Sequence, residues 1–127
     1  MAAVLRLLLV DDDDNKRLLL AHSLLERFSS AFLFQCRSGA EAIAYLSTRA
    51  VDAVVTDHSM TPVNGIELIS WVRDRGLQIP VVMVTGHPEI EETALEAGAT
   101  KVIPFARFTE IGDIVARLLI AWNPDGR

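Results

Sequence analysis

Cysteine is nearly missing from this chain. Cys36 stands alone, which excludes an internal disulfide framework and suits a reducing compartment. Its expected role is that of a small buried hydrophobe on a strand. Positive charge is in deficit: 12 Lys and Arg against 17 Asp and Glu give a net charge of −5, which argues against a nonspecific grip on nucleic acid. Aromatic residues make up only 6%, and Trp71 and Trp122 read as packing or partner-facing residues rather than cofactor stackers. No apolar run approaches the roughly 20 residues a membrane span needs. The stretch Val4 to Val10 is interrupted by Arg6 and followed by four aspartates, the pattern of a buried strand rather than of a signal peptide. A cytoplasmic location is expected.

What is present fills one domain. The chain has 127 residues, half of them hydrophobic, with no linker, repeat or low-complexity segment. Residues 1–122 read as that domain and 123–127 as a disordered tail.

Apolar runs alternate with amphipathic stretches throughout. The runs Leu5–Val10, Phe32–Cys36, Val51–Thr56, Ile79–Thr85 and Lys101–Pro104 are strand candidates. Between them, Leu18, Ala21, Leu25 and Phe28 recur at helical spacing. Ser38 stands three residues before Glu41, a capping-box pattern ahead of Ala42, Ile43 and Leu46. Ile66, Ile69 and Val72 mark a third helix closed by Gly76, and Glu89 to Ala97 a short fourth ended by Gly98. Ile111, Ile114, Val115, Leu118, Leu119 and Trp122 trace a final apolar stripe. Strands that read as continuous apolar runs are usually buried on both faces, as parallel strands are. Five strands and five helices in alternation give an open α/β sheet with helices on both sides.

In such sheets, sites form outside the carboxyl ends of the strands. Three runs end there in oxygen-bearing side chains: the first in Asp11 and Asp12, the third in Asp57 and the fourth in Thr85. If these strands are parallel, the carboxylates converge, and their repulsion is relieved by a cation among them. A hard dication with oxygen ligands fits, and magnesium fits better than zinc because no His or Cys cluster is present. Asp57 then either ligates the metal or attacks phosphorus to form an acyl phosphate. Asp13 and Asp14 read as caps for the helix that follows, favoured by its dipole. Lone His22 and His58 read as surface or packing residues.

Four motifs in order carry a resemblance. Leu7-Leu8-Leu9-Val10-Asp11-Asp12-Asp13, with Arg17 after it, is the first. Asp57-His58-Ser59-Met60, with Gly65 eight residues beyond the aspartate, is the second. Pro80-Val81-Val82-Met83-Val84-Thr85-Gly86 and Ala94-Leu95-Glu96-Ala97-Gly98-Ala99 complete the set. Together they resemble the receiver domains of two-component response regulators over nearly the whole chain. The resemblance implies a flavodoxin-like doubly wound sheet of order 2-1-3-4-5 and phosphorylation of Asp57 by a histidine kinase or phosphotransfer partner. It also implies Mg2+ held by Asp11, Asp12, Asp57 and the backbone carbonyl of Ser59, with Thr85 as the switch hydroxyl. Gly86, His87 and Arg107 fall beside the phosphate in this scheme, and His87 is placed to influence hydrolysis. Such a chain is a signalling switch, an enzyme only toward its own phosphorylation. It acts through a downstream protein or a further effector domain, in some family members as a homodimer.

Two departures stand out. Met60-Thr61-Pro62 replaces Met-Pro-Gly, and the lysine and proline that end the fifth strand in the family become Phe105 and Ala106. Lys101 lies about 13 Å away at the other end of that strand, Arg107 is nearer, and Val102 holds the usual aromatic switch position. The missing lysine supports an alternative: a degenerate receiver working as a phosphorylation-independent protein-binding module. Two other classes fare worse. A phosphatase with an aspartate nucleophile wants an acid where Ser59 stands, and four aspartates after the first strand would repel the phosphate of a flavodoxin cofactor.

Overall fold

The computed structural model describes residues 4–121, so Trp122 and the tail 123–127 lie outside the described residues. Strands β1 (Arg6–Val10), β2 (Phe32–Cys36), β3 (Ala53–Thr56), β4 (Val81–Thr85) and β5 (Lys101–Pro104) alternate with five α-helices. These are α1 (Asp14–Arg27), α2 (Gly39–Leu46), α3 (Gly65–Asp74), α4 (Glu91–Ala97) and α5 (Ile111–Ala121). All strand pairs are parallel and the sheet runs 2-1-3-4-5, the flavodoxin-like order.

Period-two alternation divides the core between the faces of the sheet. Leu8, Val10, Val54, Val81 and Met83 point to the face covered by α2, α3 and α4, where Ala42, Leu68, Val72 and Ala94 meet them. Leu7, Leu9, Val55, Val82 and Val84 point to the other, against Leu20 and Leu24 of α1 and Ile111 and Val115 of α5. The three central strands are therefore buried along almost their whole length. Cys36 closes edge strand β2 fully buried, and its thiol is pushed up to about 12 by burial, with the charge of Glu41 adding to it.

Three strands begin later than their apolar runs, β1 by one residue and β3 and β4 by two. Ahead of β3 the Asp52 carboxylate accepts the Arg6 N–H (2.8 Å) while the Asp52 N–H donates to the Arg6 carbonyl (2.8 Å), and ahead of β4 Pro80 has no N–H for a ladder. In α1 the buried face is Leu20, Ala21 and Leu24, whereas Leu18 is 67% exposed and Leu25 also faces outward. The expected stripe was thus rotated on the helix, because Leu18 to Ala21 and Leu24 to Leu25 are apolar on all sides and periodicity cannot choose among them. Ser38 does cap α2, accepting the Glu41 N–H (3.1 Å), but the Glu41 carboxylate accepts from Arg37 rather than from Ser38. The complete reciprocal capping box lies at Asn64 and Glu67, at the start of α3.

Gly76 (φ 75°) and Gly98 (φ 118°) end α3 and α4 in the left-handed region, as their positions in the sequence suggested. Arg73 ties these ends together. Its Nε donates to the Gly98 carbonyl (3.0 Å), one terminal nitrogen to the Leu77 carbonyl (2.8 Å) and the other to Thr100 Oγ1 (3.3 Å). Arg73→Ala strips partners from these acceptors and from the packing over Gly98. It is expected to cost about 1–3 kcal/mol in urea unfolding.

Candidate functional site

The register of the sheet builds the site. Val10 lies opposite Cys36 on one side and Thr56 on the other, so Asp11 and Asp57 emerge side by side. Backbone bonds lock the corner: Asp57 N–H donates to the Val10 carbonyl (2.9 Å) and Asp11 N–H to the Cys36 carbonyl (3.0 Å). Carboxylate oxygens of Asp11, Asp12 and Asp57 all lie within 4.8 Å of one another. Asp11 is 1% and Asp57 5% exposed, while Asp12 opens to solvent.

The turn into α1 is held by the neighbouring acids. Asp13 caps the helix, accepting from the N–H groups of Asn15 (2.9 Å) and Lys16 (3.0 Å). Asp14 receives Arg17 (2.8 Å) and Arg37 (3.0 Å). Arg17 also donates to the Asp11 carbonyl (2.8 Å), and the Asp13 N–H donates to the Asp11 carboxylate (2.9 Å). Asp13 and Asp14 are thus consumed by the helix, as the sequence suggested, and the cluster is left to Asp11, Asp12 and Asp57.

Burial of carboxylates has an electrostatic cost. Asp11 is raised to about 6, chiefly by burial, with the charge of Asp57 adding to the effect and the Asp13 N–H and Lys16 opposing it. Asp57 is raised as well, again by burial first, against the His58 N–H and Lys16. Among the described residues the cluster consists of carboxylates alone, with no His or Cys in it, the donor set of a hard dication.

Loop residues 58–64 carry Ser59, exposed, and His58, whose Nδ1 is buried without a hydrogen-bond partner. The loop is pinned at both ends. Gly65 N–H donates to the His58 carbonyl (2.9 Å), and α2 donates from Gly39 and Ala40 to the carbonyls of Val63 (3.1 Å) and Pro62 (3.2 Å). The shifted proline therefore sits in a fixed turn. A Cβ at Gly65 would collide with the Asp57 carbonyl and come within 2.8 Å of His58 Cα. Gly65→Ala is accordingly expected to displace the Asp57 corner. It should cost about 1–3 kcal/mol in denaturant unfolding, as overpacking does.

Thr85 ends β4 at 3% exposure, its hydroxyl oxygen accepting the His87 N–H (3.0 Å). Gly86 and His87 are exposed beside it, with His87 Nδ1 near Glu89 (3.4 Å). On β5, Thr85 lies opposite Pro104, and the chain continues into Phe105, stacked on Phe108 with centroids 5.3 Å apart. Arg107 forks onto Glu110 through two hydrogen bonds (2.9 and 2.8 Å) on the surface. Lys101 stands at the start of β5, opposite Val82. Sequence reasoning passed over one group here: Lys16, in the first turn of α1, whose charge acts on both Asp11 and Asp57. Its position one turn beyond the acidic corner was the available signal.

Comparison with known proteins agrees with this geometry. Residues 7–107 match the family model of the response regulator receiver domain. The chain is 35% identical over 97 residues to the sensor histidine kinase RcsC of Salmonella typhimurium, covering 72% of this chain and 10% of the kinase. It is 31% identical over 101 residues to the response regulator MprA of a Mycobacterium species, covering 78% of this chain and 43% of the regulator. The chain therefore spans less than half the length of either relative. Among solved structures, the signal receiver domain of NarL from Mycobacterium tuberculosis superposes with a TM-score of 0.84 at 22% identity, covering 94% of this chain and 99% of that one. Since the matched stretch runs from Leu7 in β1 past the end of β5 and takes in all three clustered aspartates, the chain belongs to the response regulator receiver domains.

Proposed function

We propose that this receiver domain is a phosphoacceptor in a two-component phosphorelay, with Asp57 as the acceptor and a histidine kinase or histidine phosphotransfer protein as the donor. The observation that carries the reading is the cluster itself: three carboxylates within 4.8 Å, two of them buried. Burial at this cost is a hallmark of a functional site rather than of a solvated acidic turn.

In the proposed transfer, an Asp57 carboxylate oxygen attacks phosphorus, the P–N bond of the donor phosphohistidine breaks, and the imidazole leaves. Asp11, Asp12 and Asp57, with the Ser59 carbonyl, would hold Mg2+, which when bound supplies positive charge to the phosphoryl oxygens. Asp11 is oriented by the Asp13 N–H, and Asp57 is held in place by its backbone bond to Val10. Thr85 is the switch residue in this reading. Its hydroxyl proton is directed by the bond its oxygen accepts from His87, and Gly86 and His87 form the solvent-facing lip beside it.

Output then runs through protein contacts, made with a partner or with a domain joined to this chain, in a cytoplasmic setting. A groove between α4 and β5, lined by Thr85, Gly86, Glu91, Val102, Pro104 and Phe105, adjoins the switch residue and is the surface through which it would act. Pairing of two receivers would use the same side of the fold. The phosphorylation-independent module is not favoured, since it gives no account of why buried carboxylates are kept at their electrostatic cost. The test is incubation of the chain with magnesium and acetyl phosphate, read by intact mass. Gain of one phosphoryl group is expected, and an unchanged mass refutes the reading.

No helix among the described residues is long and apolar enough to cross a membrane.

A further inference from the structure

Charge bookkeeping around a phosphorylated Asp57 leaves a deficit. Asp11 and Asp12 carry two negative charges and the phosphoryl group adds close to two more, whereas one divalent ion returns two. The remaining negative charge, in a partly buried crevice, calls for a further cation, because electrostatic terms are strong where water is excluded. Nearly every basic side chain close to the crevice is already engaged. Arg17 is bound to the Asp11 carbonyl and to Asp14, and Arg37 to Asp14. Arg107 is forked onto Glu110. Lys101 is at the far end of β5.

Among the lysines and arginines near the crevice, Lys16 is the exception. It is half-buried and makes no carboxylate ion pair among the described residues. Its backbone is fixed by the Asp13 cap (3.0 Å), and its ammonium lies 5.3 Å from the centroid of the Phe105 ring. That ring is itself stacked on Phe108 and follows directly on Pro104, the partner of Thr85. The ammonium, carried by the helix turn that follows the acidic corner, is thus seated at the end of β5 on an aromatic face, which attracts a cation without neutralising it. Its charge already acts on Asp11 and Asp57 in the unphosphorylated domain.

We propose that Lys16 is the cation that faces the phosphoryl group on Asp57, with the Phe105 ring as the shelf that holds it there. The inference rests on the phosphoacceptor reading. Phosphorylation from acetyl phosphate forms the bond from Asp57 oxygen to phosphorus and breaks the donor's bond from phosphorus to acetate, which leaves as the anion. Lys16 transfers no proton in this step; it offsets charge on the phosphoryl oxygens.

The test follows the rate of phosphoryl gain by intact mass with magnesium and acetyl phosphate. Lys16→Met, similar in length and neutral, is expected to slow the wild-type reaction roughly tenfold to a hundredfold, the range for losing one charge-stabilising donor. Lys16→Arg should recover much of the rate. So should Lys16→Met combined with Phe105→Lys, which returns an ammonium from the other side of the crevice. Lys101→Met should react like wild type. Wild-type rates in Lys16→Met overturn the proposal and leave the phosphoacceptor reading standing. A slow Lys16→Met that neither Lys16→Arg nor Phe105→Lys improves makes the role structural and also overturns it. A wild-type chain that gains no phosphoryl group removes both readings together.

Discussion

Asp57→Asn is expected to keep its unmodified mass under conditions in which the wild-type chain gains one phosphoryl group. Asn has nearly the shape of Asp, so the buried side chain is replaced without a cavity, and the backbone bond from residue 57 to the Val10 carbonyl is untouched. What is lost is the anionic oxygen, and with it the nucleophile. Asp57→Ala would mix this loss with a packing defect and is the poorer test. The substitution also removes one of three crowded negative charges. Without magnesium, Asp57→Asn should therefore melt above the wild type at neutral pH while being inert to the phosphodonor. A variant more stable yet chemically dead is the signature of a site where function opposes folding. Phosphoryl gain at the wild-type level in Asp57→Asn would place the acceptor on another residue.

The second large effect is a magnesium stabilisation that grows with pH. Asp11 is raised to about 6 from a usual 3.8, first of all by burial. Its folded form therefore binds protons more readily than its unfolded form between these values, so the metal-free domain loses stability as pH rises from about 4 to about 6. The penalty is then fully present at neutral pH. Discounted for solvent screening at the open side of the cluster, it amounts to roughly 1–2 kcal/mol. Asp14 and Glu110 act in the opposite sense. Both are held below the usual carboxylate range, Asp14 by its bond to Arg17 and the charge of Arg37, Glu110 by Arg107. Their contribution is present at neutral pH and lost only in stronger acid. The difference in melting midpoint between wild type and Asp11→Asn cancels these terms and isolates the site. It should favour Asp11→Asn by about 2–8 °C at pH 7.5 in EDTA and vanish near pH 4. Excess magnesium should raise the wild-type midpoint at pH 7.5, little at pH 5, and hardly affect Asp11→Asn. Midpoints indifferent to magnesium at every pH would mean that the three carboxylates hold no cation.

The parallel strands and the acidic corner were legible in the sequence for a simple reason, whereas the 2-1-3-4-5 order came only with the family resemblance. Central parallel strands are apolar on both faces, so β1, β3 and β4 stand out as unbroken runs, and acids placed immediately after Val10 and Thr56 are conspicuous. Helix phase was less legible. Leu18, Leu19 and Leu20 adjoin one another in α1, and only packing against α5 shows that Leu20 faces the core. Glu41 has the spacing of a capping box, yet its carboxylate accepts from Arg37, a choice of one backbone N–H over its neighbour that spacing does not encode. The approach of Lys16 to Phe105 was invisible for a different reason: it joins the first helix to the far edge of the sheet, a proximity created by the strand order and by no local pattern.

Cys36 has a consequence for handling and for physiology alike. The one sulfhydryl in the chain is sealed at the tip of an edge strand and stays protonated far beyond neutral pH. The thiolate is the reactive species, so oxidants and alkylating agents find no target while the strand is docked. Chemical modification at this atom thus reports that the edge of the sheet has opened, and the folded switch is insulated from the redox state of its surroundings.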